Sequence, residues 1–191
     1  MVEEKQSAPA TQATDDMPVT EAHDILYRAL GIGREILIAY PGPAQREATL
    51  EELTLISTTP DGRALRATPQ TATSWLELQR AAASASIVIE VTSAFRSIEY
   101  QGQLIKRKLE AGELLSDILK VNAIPGFSEH HTGEALDLFS PPQTPLITAF
   151  EHTAAFRWLS AHASNFGFFL SYPRGNPSGF NYEPWHWKFN P

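Results

Sequence analysis

The chain has 191 residues, 42% of them hydrophobic and 19% charged, with a formal net charge of -7 at pH 7. That is enough chain for one domain with a proper core, and an acidic balance excludes the broadly basic surface that nucleic acid or an anionic membrane would require. The absence of cysteine removes disulfides, thiolate nucleophiles and cysteine-based zinc sites together, and no apolar run reaches the about 18 residues that a membrane span needs.

Residues 1–19 are polar and aperiodic, and a disordered tail is expected there, with one domain over residues 20–191. The start lacks the basic head and apolar stretch of a secretory signal, so the cell envelope is expected only if a leader has been removed, and the cytoplasm otherwise. Ala22, Ile25, Leu26, Ala29 and Leu30 recur at helical spacing, which predicts a short helix over residues 21–30. Residues 35–40 (EILIAY) read as a strand closed by the turn at 41–43 (PGP). Residues 49–57 fit either helix or strand, and Pro60-Asp61-Gly62 is a turn.

Trp75, Leu76, Leu78, Ala82 and Ala83 predict a helix over residues 71–84. The β-branched run at 87–93 (IVIEVTS) predicts a central strand. Residues 97–111 read as a helix that is apolar at Leu104, Ile105 and Leu109, and residues 135–139 (ALDLF) as a strand. After the breakers Pro141, Pro142 and Pro145, one amphipathic helix is predicted over 148–166, with Gly167 as its cap. Residues 168–172 and 185–189 read as strands around a Gly/Pro/Asn-rich loop, 173–182. The sum is an α+β fold, a small antiparallel sheet with flanking helices.

Chemistry-bearing residues gather in three segments. In Ser128-Glu129-His130-His131-Thr132-Gly133-Glu134-Ala135-Leu136-Asp137, an imidazole and a carboxylate stand either side of a glycine that lets the chain reverse. Nitrogen and oxygen donors of this kind suit zinc. In Glu183-Pro184-Trp185-His186, His186 would complete a three-ligand set with His130 and Asp137, leaving the fourth position to water. Glu183 would take a proton from that water without touching the metal. In Ser93-Ala94-Phe95-Arg96-Ser97, Arg96 is placed to hold an oxyanion or a substrate carboxylate, the plainer alternative being an ion pair with Glu99. His131 is expected beside the metal site rather than on it. His23, His152 and His162 are expected to be structural or exposed, and Trp185, Trp187 and Phe189 to form core and pocket wall.

Taken together, SAFRSIEYQ, SEHHTGEALDL, GFFLSYP and YEPWHWKF resemble the VanY-type D-alanyl-D-alanine carboxypeptidases, in order and spacing, over residues 87–189. These are zinc peptidases of the group that includes the D-Ala-D-Ala dipeptidases, murein endopeptidases and the hedgehog domain. The resemblance implies that fold, a zinc cofactor on His130, Asp137 and His186, Glu183 as base and Arg96 as transition-state donor. It also implies that Gln101 and Ser128 line the site. The expected substrate is a peptidoglycan stem peptide or precursor losing a C-terminal D-residue. The same metal site could equally serve an L,D-carboxypeptidase or an endopeptidase, or survive in a zinc-containing binding module that does not turn over. Arg96, Arg174 and Ser128 are the candidates to bind a terminal carboxylate, and the protein is expected to act as a monomer. His131 stands where relatives often carry glutamine, and Ser171 where an arginine often precedes the Tyr-Pro pair.

Overall fold

The computed structural model describes residues 20–190, so the tail expected over residues 1–19 lies outside the described residues. After Tyr40 the chain divides into two compact units. The first carries α1 (Glu21–Ala29) and α2 (Arg34–Ala39). Thr20 caps α1 by accepting from the His23 N–H. Residues 35–39 are thus helical and Tyr40 ends the helix in an extended conformation, where residues 35–40 were expected to form a strand. A run this short is apolar in either conformation, and neither sheet of the described residues includes it. Its first turn closes on Gly33, whose carbonyl accepts from Ile36 and Leu37.

The second unit begins with an extended segment in which Gln45 N–H donates to Gly126 and Ala48 N–H to His131. A single 3-10 turn (Leu50–Glu52) follows, held by Glu52, whose carboxylate accepts from the Thr49 N–H and from Arg46. The ambiguous stretch 49–57 is thus a turn running into a strand. β1 (Thr54–Thr58) and β2 (Ala64–Ala67) form an antiparallel hairpin, and α3 (Pro69–Ser84) packs beside it. Thr68 caps α3 and Pro69 starts it. Trp75, Leu78 and Ala82 put one face of α3 into the core, with Leu65, Leu136, Leu138, Phe168 and Trp187. Truncating an aromatic anchor such as Trp75 to alanine costs about 3–5 kcal/mol.

The main sheet is antiparallel in the order β3 (Glu90–Ser93), β4 (Ala135–Phe139), β6 (His186–Phe189), β5 (Phe168–Leu170). β3 is an edge strand, not the central one expected. Ile89 and Val91 are buried but Val88 and Glu90 are exposed, so its β-branched residues report one buried face rather than a place in the middle. The centre belongs to β4 and β6. The helix α4 (Ile98–Glu110) follows β3, capped by Ser97, and a short helix α5 (Leu115–Ile118) comes next.

The single helix expected over 148–166 is three pieces: a 3-10 turn (Thr148–His152), α6 (Ala154–His162) and a second 3-10 turn (Ala163–Phe166). Thr153 makes the break. Its hydroxyl donates to the Phe150 carbonyl and accepts from the Phe156 N–H, which ends one turn and caps the next helix. Gly167 then closes the segment with φ 76°, where an added Cβ would lie 2.8 Å from the Phe189 ring.

Candidate active site

Sheet register builds the site. Asp137 on β4 pairs directly with His186 on β6, so both side chains leave the same face at the same level. His130 comes from a 3-10 turn (Glu129–Thr132) just before β4. Gly133 ends that turn with φ 74°, and a Cβ there would meet Leu53 Cδ2 at 2.6 Å and the Thr68 nitrogen at 3.3 Å. The reversal that brings His130 over Asp137 therefore needs glycine both for its dihedral and for its space.

The structure brings His130, Asp137 and His186 together, each offering a ligand atom within 4.8 Å of the others. His130 Nδ1–H donates to the Ala94 carbonyl at 2.8 Å, which leaves the Nε2 lone pair facing the site. Nε2 lies 3.2 Å from Asp137 Oδ2, yet it is buried and makes no hydrogen bond. Burial, and then the nearby Arg96 charge, push the His130 pKa down to about 4, so the ring is neutral at pH 7. A buried, neutral, unpartnered imidazole nitrogen beside a carboxylate is what a divalent cation requires of a ligand.

His186 differs. Its Nδ1 stands 3.1 Å from Asp137 Oδ1 and its Nε2 2.9 Å from Glu129 Oε2. Burial opposes charge here, but the two carboxylates outweigh it and push the pKa up to about 10. The same two histidines offset burial at Asp137 and hold its pKa below the usual carboxylate range. Two carboxylates thus make the centre of the site favour positive charge, and with the Nε2–H given to Glu129 a cation would replace the proton at His186 Nδ1. This donor set fits a cation bound through His130 Nε2, the Asp137 carboxylate and His186 Nδ1.

Sequence reasoning missed Glu129. Its carboxylate accepts from Ser171 Oγ at 2.6 Å as well as from His186, with Lys188 3.9 Å away. Burial opposes its charge, but these partners hold its pKa down to about 2. The available signal was an acidic residue beside a proposed ligand, since ligating histidines usually donate their second N–H to a carboxylate. The partner, His186, lies 57 residues away in sequence, and no local pattern links them.

Glu183 sits on the turn leading into β6, its N–H donating to Tyr172 and its carbonyl accepting from His186 N–H. It is 7% exposed, and its carboxylate is 4.0 Å from His186 Nδ1. Burial raises its pKa to about 7, with His186 pulling the other way and Asp137 adding to the rise.

Arg96 is gripped at both ends. Its N–H donates to the His130 carbonyl and its own carbonyl accepts His131 Nδ1–H at 2.6 Å. Its Nη1 donates to Gln101 Oε1 at 3.1 Å, and Nη2 lies 3.6 Å from Asp137. Arg96 therefore faces Asp137 rather than Glu99. Its Nε is buried without a partner. Gln101 in turn donates to the Ala123 carbonyl at 2.7 Å, so its side chain is a strut between Arg96 and the loop before the histidines. His131 is fully buried, accepts from the Gly126 N–H at 3.0 Å, and braces the loop from beneath.

A cavity of about 500 Å³ opens over these groups, lined also by Ser128, Tyr172, Phe180 and Trp185. Trp187 and Phe189 lie in the core. Arg174 is not at the cavity. It donates to both oxygens of Glu151 at 2.7 and 2.9 Å, and its guanidinium lies over the Tyr182 ring at 4.2 Å, largely in solvent. The expectation that it binds a substrate carboxylate is corrected on that ground: its charge is spent on Glu151, away from the cavity. His152 is exposed, and His162 packs on Trp158.

The family model described as VanY: D-alanyl-D-alanine carboxypeptidase matches residues 64–191, extending the resemblance upstream of residue 87. The chain is 30% identical over 126 residues to the bifunctional D-Ala-D-Ala dipeptidase and D-Ala-D-Ala carboxypeptidase VanXYC of Enterococcus gallinarum. That match covers 63% of this chain and 65% of the relative, while two other curated carboxypeptidases are matched over 26% and 22% of their lengths. The chain thus spans less than two thirds of these relatives. Among solved structures, the LdcB LD-carboxypeptidase superposes with a TM-score of 0.66 at 24% identity, over 77% of this chain and 71% of that one. A mutant of the vancomycin resistance D,D-pentapeptidase VanY in complex with Zn(II) does so with a TM-score of 0.58 at 23% identity, over 76% and 83%. At these identities the structural likeness carries the fold. The family match spans more than half of the sequence, includes every residue of the buried histidine–aspartate cluster, and leads to one conclusion: the chain belongs to the VanY family of D-alanyl-D-alanine carboxypeptidases.

Proposed function

We propose that this protein is a zinc-dependent carboxypeptidase that removes a C-terminal D-alanine from peptidoglycan stem peptides or their precursors. The observation that carries the reading is the buried, neutral, unpartnered His130 Nε2 facing Asp137 and His186. His130, Asp137 and His186 would hold the metal, and Glu129 would fix the ring of His186 by accepting its Nε2–H. Zinc bound there supplies Lewis acidity, lowering the pKa of a water and polarising a carbonyl.

The chain's own groups do the rest. Glu183, with a pKa near 7, is able both to accept the proton of the attacking water and to return it to the leaving amine. As the water oxygen bonds to the scissile carbon, negative charge grows on the carbonyl oxygen, and the Arg96 guanidinium donates to it. Collapse breaks the C–N bond, and the amine leaves with the proton that Glu183 held. Gln101 and His131 keep Arg96 in place for this, and Ser128 contributes a hydroxyl to the cavity wall.

A D,D-pentapeptidase VanY and an LD-carboxypeptidase share this fold, so the bond cut is to be read by experiment. The zinc-loaded chain should be incubated with muropeptides ending in D-Ala-D-Ala, with tetrapeptides and with cross-linked dimers, and the products weighed. Release of one alanine from the D-Ala-D-Ala pentapeptide is the expected result. Release from the tetrapeptide alone assigns L,D specificity instead, and scission of the cross-link an endopeptidase. Binding of pentapeptide with no product in any arm leaves a non-catalytic module.

A further inference from the structure

Arg63 lines the same cavity from a part of the chain just upstream of the family match. It ends the turn between β1 and β2, a turn closed by Thr59, whose hydroxyl accepts from the Arg63 N–H at 3.0 Å. Its side chain crosses to the edge strand, where Nη2 donates to the Thr92 carbonyl at 3.1 Å. Thr92 adjoins Ser93, which pairs with Asp137. The guanidinium is therefore anchored at its backbone and at one nitrogen, beside the metal-binding face.

Among the described residues no carboxylate forms an ion pair with it, although the Asp61 carboxylate is held below its ordinary range first by the Thr59 hydroxyl and more weakly by the Arg63 charge. Asp61 on the same turn is bonded instead to the Thr59 hydroxyl. Arg63 and Arg96 thus present two guanidinium groups to the same cavity, and an anion placed there is attracted by both. The cavity's own carboxylates, Asp137 and Glu183, belong to the catalytic cluster.

We propose that Arg63 is a substrate-binding residue that reads a carboxylate of the peptide through its free guanidinium edge. The proposal rests on the carboxypeptidase reading above, and it puts in this chain's hairpin the cationic role that Arg174 does not fill. The planar fork suits a carboxylate bidentately. Two carboxylates of a stem peptide have the right chemistry: the C-terminal one and that of an acidic residue upstream of the scissile bond.

Four forms of one D-Ala-D-Ala-terminated peptide separate them, each of the two carboxylates being either free or converted to the carboxamide. Affinities are read by calorimetry on the zinc-loaded Glu183→Gln chain, which binds without turnover, with and without Arg63→Ala or Arg63→Lys. The chain with Arg63 should prefer one acid over its amide by about ten- to a hundredfold, the range for a hydrogen-bonded charge. Arg63→Ala should abolish that preference and leave binding of the matching amide unchanged, and Arg63→Lys should restore part of it. Whichever carboxylate carries the preference is the one that Arg63 reads. Equal weakening of all four peptides by Arg63→Ala, no weakening, or no binding of any form would each overturn the proposal. Hydrolysis by the unmodified chain is measured separately, so a protein that binds as expected but cleaves nothing condemns the enzymatic reading and not this one.

Discussion

Arg96 and Arg174 both follow a strand of the main sheet, and both looked from their surroundings like substrate cations. Arg96 ended on the cavity wall, held by backbone bonds to two histidines, by Gln101 and by Asp137. Arg174 ended in solvent, paired with Glu151 and stacked on Tyr182. The difference lies in what surrounds each charge. A guanidinium inside a packed wall cannot relax when the charge next to it changes, so it is suited to stabilising an oxyanion. A guanidinium on an exposed loop is already neutralised by its partner and screened by water, and such a pair is worth little.

Substitutions at the wall and at the loop should therefore differ by orders of magnitude, and the largest effect lies at the wall's metal-binding edge. His186→Ala or His130→Ala should reduce zinc from about one per chain to almost none by elemental analysis, because two protein ligands seldom keep zinc. A His186→Ala protein that retains zinc normally would remove His186 from the ligand set. Glu183→Gln should keep the metal and the fold but lower kcat by at least about a hundredfold, the lower range for losing a general base. Loss of zinc from that variant would make Glu183 a ligand.

Arg96→Ala should lower kcat by about two to three orders of magnitude while KM moves much less, as for an oxyanion donor. An intact kcat with a raised KM would make Arg96 a carboxylate anchor, and the contrast with Arg174 would then be one of position only. Arg174→Ala closes the series. Steady-state kinetics should change by less than about twofold, and stability by under about 1 kcal/mol in denaturant unfolding. A tenfold rise in KM there would bring the 173–182 loop back into the site.

Much of this was legible in the chain. α3 and α4 announce themselves by apolar spacing, and β4 by the run ALDLF. His130, Asp137, Glu183 and His186 stand out because zinc chemistry needs those side-chain types and because glycine at 133 and the Glu183–His186 spacing are local. Residues 35–40 misled because six apolar-rich residues fit either a helix or a strand until a neighbouring strand is offered or withheld. The stretch 148–166 misled because one threonine hydroxyl, bonding both ways, splits a continuous periodicity.

What the sequence determined by itself is the inventory: the donors, their local spacing, the helical faces and the turn residues, all set by interactions within a few positions. What only the tertiary structure decided is which distant residues meet. The register that sets Asp137 against His186, the reach of Glu129 to His186, the edge position of β3, the turning of Arg63 to Thr92 and of Arg174 to Glu151 all join residues more than twenty positions apart. Such contacts depend on how whole strands pair and pack, since a shift of one residue in register moves every side chain to the other face.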